Sequence, residues 1–234
     1  RSAPPESFQA PMDGTAQKTP REFVEAVTGD DVQRIYRHRF SEADRKAKAE
    51  IWRVVVEAGL QRWIPADATV LDIGCGYGEF LNHVRCKKRI GVDLNPDHPY
   101  SDPRVTRHVN DGRAFLQSTD TQYDLILFAL PDSLALVNGA SQIRLESYLF
   151  TQEALTEARD HLTDQGVFAM YNYYRENWLI DRLGNTAQQA FGHPPCIDLF
   201  AAHQAVVTVA KDPANQQCAD NNHVIGADAL APAD

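Results

Sequence analysis

Residues 70–80 have the sequence VLDIGCGYGEF, and this stretch is the clearest structural signal in the chain. Val70–Ile73 predicts a buried strand, because it is apolar apart from its one acidic residue. The glycines at positions 74, 76 and 78 predict a sharp turn, and Phe80–Arg85 predicts the helix that follows it. A strand, a glycine-rich turn and a helix in this order are typical of cofactor-binding sites, because glycines let a ligand approach the backbone closely.

The remainder of the chain alternates strand patterns with helical patterns. This alternation predicts a doubly wound α/β fold, with a Rossmann-like, mostly parallel sheet that an antiparallel strand closes. Tyr123–Leu130 is apolar on both faces and is predicted to be a central strand, and a turn is predicted at 164–166. Further strands are predicted at Arg89–Asp93, Val105–Val109, Val167–Tyr171, Ile197–Phe200 and Ala205–Val209, and helices at Thr151–Leu162 and Trp178–Phe191.

The two ends of the chain differ from this central pattern. Residues 1–18 are rich in proline and poor in apolar residues, which predicts a disordered tail. Residues 19–65 predict an N-terminal helical cap, and 19–210 together predict a single domain followed by a polar C-terminal tail at 211–234. The last helix of the cap is predicted to begin after Ser41 and to have an apolar stripe made of Ile51, Val54, Val55 and Ala58.

The composition excludes several classes of protein. The 234 residues carry a net charge of −9, which argues against nonspecific binding to nucleic acid or to an anionic membrane. No apolar run approaches the roughly 18–20 residues that span a bilayer, and the N-terminus has no signal-peptide pattern. The four cysteines are scattered without a CxxC pair, so neither a disulfide framework nor a zinc site is expected. This cysteine usage favours a reducing cytoplasm, and no metal is predicted.

Two acidic residues flank the glycine turn and indicate the kind of ligand. Asp93 ends the next predicted strand, where a carboxylate can accept hydrogen bonds from the ribose hydroxyls of a nucleoside. The G-x-G-x-G spacing differs from the G-x-G-x-x-G of dinucleotide sites, and Asp72 would repel a pyrophosphate, so NAD is disfavoured. S-adenosylmethionine has an ammonium at one end for Asp72 and a ribose at the other for Asp93. It satisfies both carboxylates.

Residues 70–80 closely resemble motif I of the class I S-adenosylmethionine-dependent methyltransferases. Residues 91–94, Gly-Val-Asp-Leu, resemble the acidic second-strand motif of the same enzymes, and the resemblance covers about residues 30–112. It implies a methyltransferase fold with S-adenosylmethionine as the methyl donor. The donor contacts that it implies come from Asp72, Gly74, Cys75, Gly76, Gly78, Asp93 and Leu94.

Asp111 follows the third predicted strand, where related enzymes place a polar side chain against the adenine amino group. Its alternative role is to cap the helix that begins at Gly112. Both roles remain open from the sequence.

A second resemblance covers about residues 123–210. Residues 128–133, 144–151 and 171–178 resemble spermidine synthase-like proteins. Aminopropyltransferases of that family use decarboxylated S-adenosylmethionine and an aspartate base that directly ends the fourth strand. Ala129 stands at the matching position here and is predicted to lie beside the cofactor, while Asp132 matches the second aspartate of that family's loop. These departures disfavour polyamine synthesis.

Methyl transfer requires donor and acceptor to be held in line, and a base only where the nucleophile must lose a proton. Asp132 is the candidate catalytic residue, either as a proton acceptor or as a partner for a cationic acceptor, with a loop cap as the alternative. Tyr171, Tyr173, Tyr174 and Trp178 are predicted to wall the acceptor pocket, with core packing as the alternative.

Tyr36 and Arg39 resemble the aromatic and basic segment that precedes the first strand in one group of these methyltransferases. They are predicted to contact the donor carboxylate or the acceptor, with a solvated helix face as the alternative. The leading hypothesis is therefore a methyltransferase acting on an unidentified small-molecule acceptor. The alternatives are an aminopropyltransferase-like enzyme and a donor-binding protein without turnover.

Overall fold

A computed structural model describes residues 41–97, 102–129, 149–174, 177–201, 204–220 and residue 222. At its centre is a sheet of seven strands in the order β3-β2-β1-β4-β5-β7-β6. The strands are β1 (Thr69–Ile73), β2 (Lys88–Asp93), β3 (Thr106–Val109), β4 (Tyr123–Ala129), β5 (Leu162–Tyr173), β6 (Cys196–Ala201) and β7 (Gln204–Ala210).

The strand directions confirm the predicted mostly parallel sheet. β1 pairs in parallel with both β2 and β4, and β4 pairs in parallel with β5. β7 runs antiparallel to its neighbours β5 and β6, and so closes the sheet as predicted. The strand order reverses at β1 and β4, and open α/β sheets bind ligands at the carboxyl ends of the strands at such a point.

Five α-helices in the described ranges cover the sheet. They are α1 (Glu42–Ala58), α2 (Glu79–His83), α3 (Gly112–Ser118), α4 (Gln152–Asp160) and α5 (Asn177–Phe191). Short 3-10 helices lie at Leu60–Trp63 and Pro213–Asn215. Ser41 caps α1 as predicted, because its hydroxyl accepts from the Asp44 amide at 3.2 Å while the Asp44 carboxylate accepts from the Ser41 amide.

The predicted apolar stripe of α1 is wrong in its phase. The buried residues of the helix are Trp52, Val55 and Val56, whereas Ile51 and Val54 are exposed. Residues 51–58 contain apolar residues on more than one helix face, so their spacing does not decide which face packs. The ring of Trp52 packs between Phe80 and Tyr171, and this contact sets the rotation of the helix.

The two faces of the sheet carry separate hydrophobic clusters. Leu71 and Ile73 belong to the cluster beneath α3, α4 and α5. Val70 belongs to the opposite cluster, with Trp52 and Phe80 from α1 and α2. Because successive side chains of a strand point to opposite faces, the side chain of residue 72 lies on the same face as that of Val70. The buried Asp72 therefore lies beside α1 and α2.

β5 is longer than predicted. It begins at Leu162, so residues 164–166 are part of the strand and the predicted turn is wrong. The pairing with β4 shifts register between Tyr123 and Leu125, which accommodates the extra residues. A Cβ on Gly166 would lie 2.8 Å from the carbonyl oxygen of Tyr123, so only glycine allows this close approach of the two strands.

The expectation that cysteines would not pair is also wrong. Cys196, at the start of β6, forms a disulfide with Cys218, whereas Cys75 and Cys86 are free thiols. The chain turns back after β7, and the side chain of Gln216 accepts from the amide of Ala210 at 2.7 Å. This return brings position 218 beside β6, a proximity that sequence spacing does not reveal. The inference of a reducing compartment loses its basis.

No helix in the described ranges is long and apolar enough to cross a bilayer. The same ranges contain no group of three or more His, Cys, Asp or Glu side chains arranged to hold a metal ion.

Candidate functional site

The glycine turn lies at the carboxyl end of β1, between β2 and β4. Gly74, Gly76 and Gly78 have φ angles of 75°, 52° and 85°, in the left-handed region that favours glycine. The amides of Gly74 and Cys75 donate to the carbonyl of Val92 at 2.9 and 3.2 Å. These bonds hold the turn against β2 and direct the chain into α2.

Asp93 connects the turn to the end of β2. Its Oδ2 atom accepts a hydrogen bond from the Gly76 amide at 2.8 Å, and its Oδ1 atom accepts from the Asn95 amide at 2.7 Å. A carboxylate oxygen can accept more than one hydrogen bond, so these two bonds do not by themselves prevent a contact with a ligand hydroxyl. The predicted ribose contact stays a prediction, and the structure adds a role for Asp93 in shaping the turn.

Asp72 is the most unusual ionisable group of the site. It is 1% exposed, and its Oδ1 atom has no hydrogen-bond partner among the described residues. Burial raises its pKa well above the usual value, and the neighbouring carboxylates of Glu79 and Asp93 raise the pKa further. The cations Arg107 and Lys48 oppose this shift. A ligand cation beside Asp72 would offset the cost of ionising it.

A small cleft opens above the turn. Four predicted residues line it: Asp72, Gly74, Cys75 and Ala129. The side chains of Asp72 and Ala129 are brought together because β1 and β4 are adjacent and both end here.

Four further residues of the cleft were missed by the sequence reasoning: Lys48 and Trp52 from α1, and Glu79 and Phe80 from α2. Lys48 Nζ lies 3.4 Å from Glu79 Oε1, and both side chains are largely buried. Lys48 and Trp52 are one helical turn apart and therefore share a face of α1, but only packing decides that this face meets the cleft.

Arg107 of β3 supports the turn from the other side. Its Nη2 atom donates to the carbonyl of Gly76 at 2.9 Å. Its Nη1 atom is buried and has no hydrogen-bond partner in the described part of the chain. The guanidinium brings a positive charge that acts on Asp72, and no local pattern in the sequence indicates this role.

Leu94 and Asp111 lie beyond the ends of β2 and β3. Leu94 directly follows β2 and is half-buried. Asp111 caps α3, since its Oδ1 atom accepts from the amides of Arg113 and Ala114 at 3.1 and 3.0 Å. The helix-cap role of Asp111 is therefore observed, while its predicted adenine contact stays a prediction.

Of the predicted acceptor-pocket residues, Tyr171 packs against Trp52, which lines the cleft, but Tyr171 does not itself line it. Its ring centroid is 4.6 Å from that of Trp52, and burial raises the pKa of its hydroxyl. Tyr174 instead lies in the cluster on the opposite face, fully buried, so the core-packing alternative describes it. Trp178 is 58% exposed and is not part of the core. The side chain of Tyr173 lies outside the described part of the structure.

Three predicted residues cannot be placed relative to the cleft. Tyr36, Arg39 and Asp132 lie outside the described residues, as do the predicted N-terminal segments up to residue 40.

The arrangement of the sheet can be compared with solved structures. Human methyltransferase-like protein 13, solved in complex with SAH, superimposes with a TM-score of 0.52 at 16% identity, over 76% of this chain and 86% of that protein. The chain has the fold of the class I methyltransferases. A search of known protein-family profiles finds no match to the chain.

Two further structures are similar at lower TM-scores. A TehB-like SAM-dependent methyltransferase from Corynebacterium glutamicum aligns with a TM-score of 0.47 and 19% identity, over 74% of this chain and all of that protein. Spermidine synthase from Thermotoga maritima also aligns with a TM-score of 0.47 and 19% identity, over 64% of this chain. This chain covers 56% of the length of that synthase.

Proposed function

We propose that this protein binds S-adenosylmethionine in the cleft above the glycine turn and transfers its methyl group to a small-molecule acceptor. The observation that carries the proposal is the buried Asp72 carboxyl, whose Oδ1 atom lacks a hydrogen-bond partner among the described residues beside the cleft. Asp72 would hold the ammonium of the methionine end, and Asp93 would accept hydrogen bonds from the ribose. The left-handed glycines would let the donor approach the backbone.

The cleft fits this donor in its chemistry. The donor is cationic, and the cleft region contains the carboxylates of Asp72, Glu79 and Asp93. A positive ligand lowers the cost of burying these charges, whereas a pyrophosphate would raise it. The bound donor supplies a sulfonium-linked methyl group that is already activated for displacement.

The protein's part in such a reaction is to orient the reactants and exclude water. Trp52 and Phe80 form an aromatic wall beside Asp72, and Tyr171 supports this wall from behind. Holding the acceptor nucleophile in line with the methyl group is sufficient for a displacement at a sulfonium carbon. A base is required only for an acceptor that must lose a proton, and Asp132 remains the proposed candidate.

Aminopropyl transfer is less well supported. Ala129 lines the cleft at the end of β4, where the resemblance to aminopropyltransferases requires an aspartate base. A methyl side chain there cannot accept a proton from an attacking amine.

Calorimetric titration tests the proposal. The purified protein is titrated with S-adenosylmethionine, S-adenosylhomocysteine, decarboxylated S-adenosylmethionine and NAD. We expect the first two to bind with dissociation constants in the micromolar range, the decarboxylated form to bind more weakly, and NAD not to bind. Preference for the decarboxylated donor would favour aminopropyl transfer, and failure of all four ligands to bind would refute the proposed donor site. Release of S-adenosylhomocysteine in a screen of small-molecule acceptors then separates turnover from binding alone.

A further inference from the structure

Lys48 is a cation placed at the otherwise acidic end of the cleft. It lies in the middle of α1 and lines the cleft together with Asp72 and Glu79. Its side chain is 22% exposed and that of Glu79 is 10% exposed, and their charged atoms are 3.4 Å apart. A lysine that is this far withdrawn from solvent has lost part of its hydration, and the groups it faces inside the protein must compensate.

The charges around Asp72 do not cancel. Asp72 interacts with two other carboxylates, Glu79 and Asp93, and with two cations, Arg107 and Lys48. When all five of these groups in the described part of the chain are ionised, their charges sum to −1. S-adenosylmethionine carries an ammonium, a sulfonium and a carboxylate, so its net charge is +1 and complements this remainder. The decarboxylated donor has lost the carboxylate and carries one more positive charge than the site requires.

The two cations have different positions. Arg107 lies on β3 and donates to the backbone of the glycine turn at Gly76. Lys48, in contrast, is the one cation among the described residues that line the cleft. A ligand carboxylate in the cleft would therefore meet Lys48, while an ammonium on the same carbon would face Asp72.

We propose that Lys48 binds the carboxylate of the methionine end of S-adenosylmethionine and so makes the protein select this donor over the decarboxylated form. The proposal rests on the proposed function and names the residue that decides which form of the donor is accepted. An ammonium has three hydrogen-bond donors, so a contact with Glu79 is compatible with a second contact to a ligand carboxylate. The Glu79 carboxylate then serves to hold Lys48 at the edge of the cleft.

A purely structural role for Lys48 makes a different prediction. If the pair with Glu79 served only to hold α1 against α2, removing the ammonium would disturb the whole cleft. Both forms of the donor would then lose affinity by the same factor. The ratio of the two affinities therefore distinguishes donor selection from structural support.

The test uses calorimetric titration of the full chain and of three variants with both forms of the donor. Lys48→Met removes the charge but keeps the length of the side chain, and Lys48→Arg keeps the charge. Lys46→Met is the matched control, because Lys46 lies on the same helix in an exposed pair with Glu42. Thermal unfolding of each variant reports whether the fold is retained.

We expect Lys48→Met to weaken S-adenosylmethionine binding by about 10- to 100-fold, as for the loss of one charge-assisted contact. Binding of the decarboxylated donor is expected to be unchanged or stronger, since removing one cation removes a repulsion for a ligand that has no carboxylate. Lys48→Arg should retain most of the preference, and Lys46→Met should retain all of it.

An equal loss for both donors, or no loss for either, would overturn the role of Lys48 while leaving the proposed donor site intact. Failure of the unmodified protein to bind either donor would overturn the proposed function and this inference together. Circular dichroism and thermal unfolding show whether Lys48→Met folds. If it does not, Lys48→Arg is the deciding variant: keeping the preference for the carboxylated donor supports the role of Lys48, and losing it contradicts that role.

Discussion

Asp72 carries a carboxyl group that folding removes from water almost completely. Its pKa is raised chiefly by this burial and secondarily by Glu79 and Asp93. The folded protein therefore holds the proton of Asp72 more tightly than the unfolded chain does. This difference links the stability of the ligand-free protein to pH.

The first prediction concerns this linkage. The pKa of Asp72 is raised in the folded state, so its protonated carboxyl contributes to the stability of the folded protein. This contribution to the free energy of unfolding is fully present below the unfolded-state pKa of about 3.9, and it is lost as the pH rises through the folded-state pKa. Relative to Asp72→Asn, the free energy of unfolding of the unmodified protein should fall by up to about 1.4 kcal/mol per pH unit in this window. Urea unfolding of both proteins from pH 4.5 to 8 measures the difference, and parallel curves would contradict it.

The second prediction concerns Asp93. Its carboxylate accepts hydrogen bonds from the amides of Gly76 and Asn95, so Asp93→Ala leaves two buried donors without a partner. We expect a loss of about 2–4 kcal/mol in the free energy of unfolding, and donor binding weaker by about 10-fold or more. Urea unfolding and calorimetric titration measure the two effects.

Asp93→Asn is the control for this change, since its amide oxygen keeps one of the two acceptors. It should destabilise less than Asp93→Ala and still weaken donor binding. Donor affinity within about twofold of the unmodified protein in both variants would refute the ribose contact.

Gly91 of β2 lies where the strand packs closely against the glycine turn and α2. A Cβ on Gly91 would lie 2.8 Å from the Sγ atom of Cys75 and 3.0 Å from Cδ1 of Leu81. The turn can therefore lie flat against the strand only because position 91 has no side chain. Gly91 belongs to the segment that resembles the second-strand motif, but its contact with Cys75 is not part of that resemblance.

The third prediction is that Gly91→Ala lowers the free energy of unfolding by about 1–3 kcal/mol, as overpacking in a tightly packed core does. It should also weaken donor binding, because the turn must move away from β2. Combining Gly91→Ala with Cys75→Ala removes the Sγ atom and should recover part of the loss, with a coupling energy of about 0.5–3 kcal/mol. Strictly additive effects of the two substitutions, measured by urea unfolding, would show that the two residues do not compete for space.

The helices illustrate a limit of periodicity. The capping signal at Ser41 correctly predicted where α1 begins, because a cap depends on neighbouring residues only. The buried face of α1 was predicted wrongly, because residues 51–58 offer apolar side chains on two faces and the neighbours Phe80 and Tyr171 decide between them. Tyr174 shows the same limit, since its place on the opposite face of the sheet follows from packing.

The disulfide between Cys196 and Cys218 ties the segment after β7 back to the first residue of β6. The cysteines are 22 positions apart in the chain, so their bond restricts a loop of moderate length in the unfolded state. Gln216 of the same segment also donates to the carbonyl of Thr208 and accepts from the amide of Ala210. Together these contacts fix the segment to the edge of the sheet that lies opposite β3.

The fourth prediction is that Cys218→Ser, or reduction of the unmodified protein, lowers the free energy of unfolding by about 2–4 kcal/mol. Cys86→Ser is the control, because Cys86 is a free and half-buried thiol whose loss should have little effect. Thermal unfolding with and without reductant measures the change. Thiol titration of the denatured, unreduced protein should find two thiols, Cys75 and Cys86, and finding four would show that the bond does not form.

The order of strands and helices was readable from the alternation along the chain, and the glycine turn and the two acids beside it from residues 70–93. They are local patterns, in which spacing along the chain reflects the repeat of a strand, a helix or a turn. The parallel sheet also followed, since strands alternating with helices pair in few ways. The place of Ala129 beside the cofactor site came from its match to the end of the fourth strand in the aminopropyltransferases, and it agrees with the rule that ligands bind at the carboxyl ends of the strands.

The residues that surround Asp72 in this site were identified only from the tertiary structure. Lys48, Glu79 and Arg107 reach Asp72 from two helices and an outer strand, and Cys196 meets Cys218 across a reversal of the backbone. Such contacts depend on the rotation of each helix and on where distant segments meet. Packing energies of the whole molecule set both, and they leave no regular mark on the spacing of residues along the sequence.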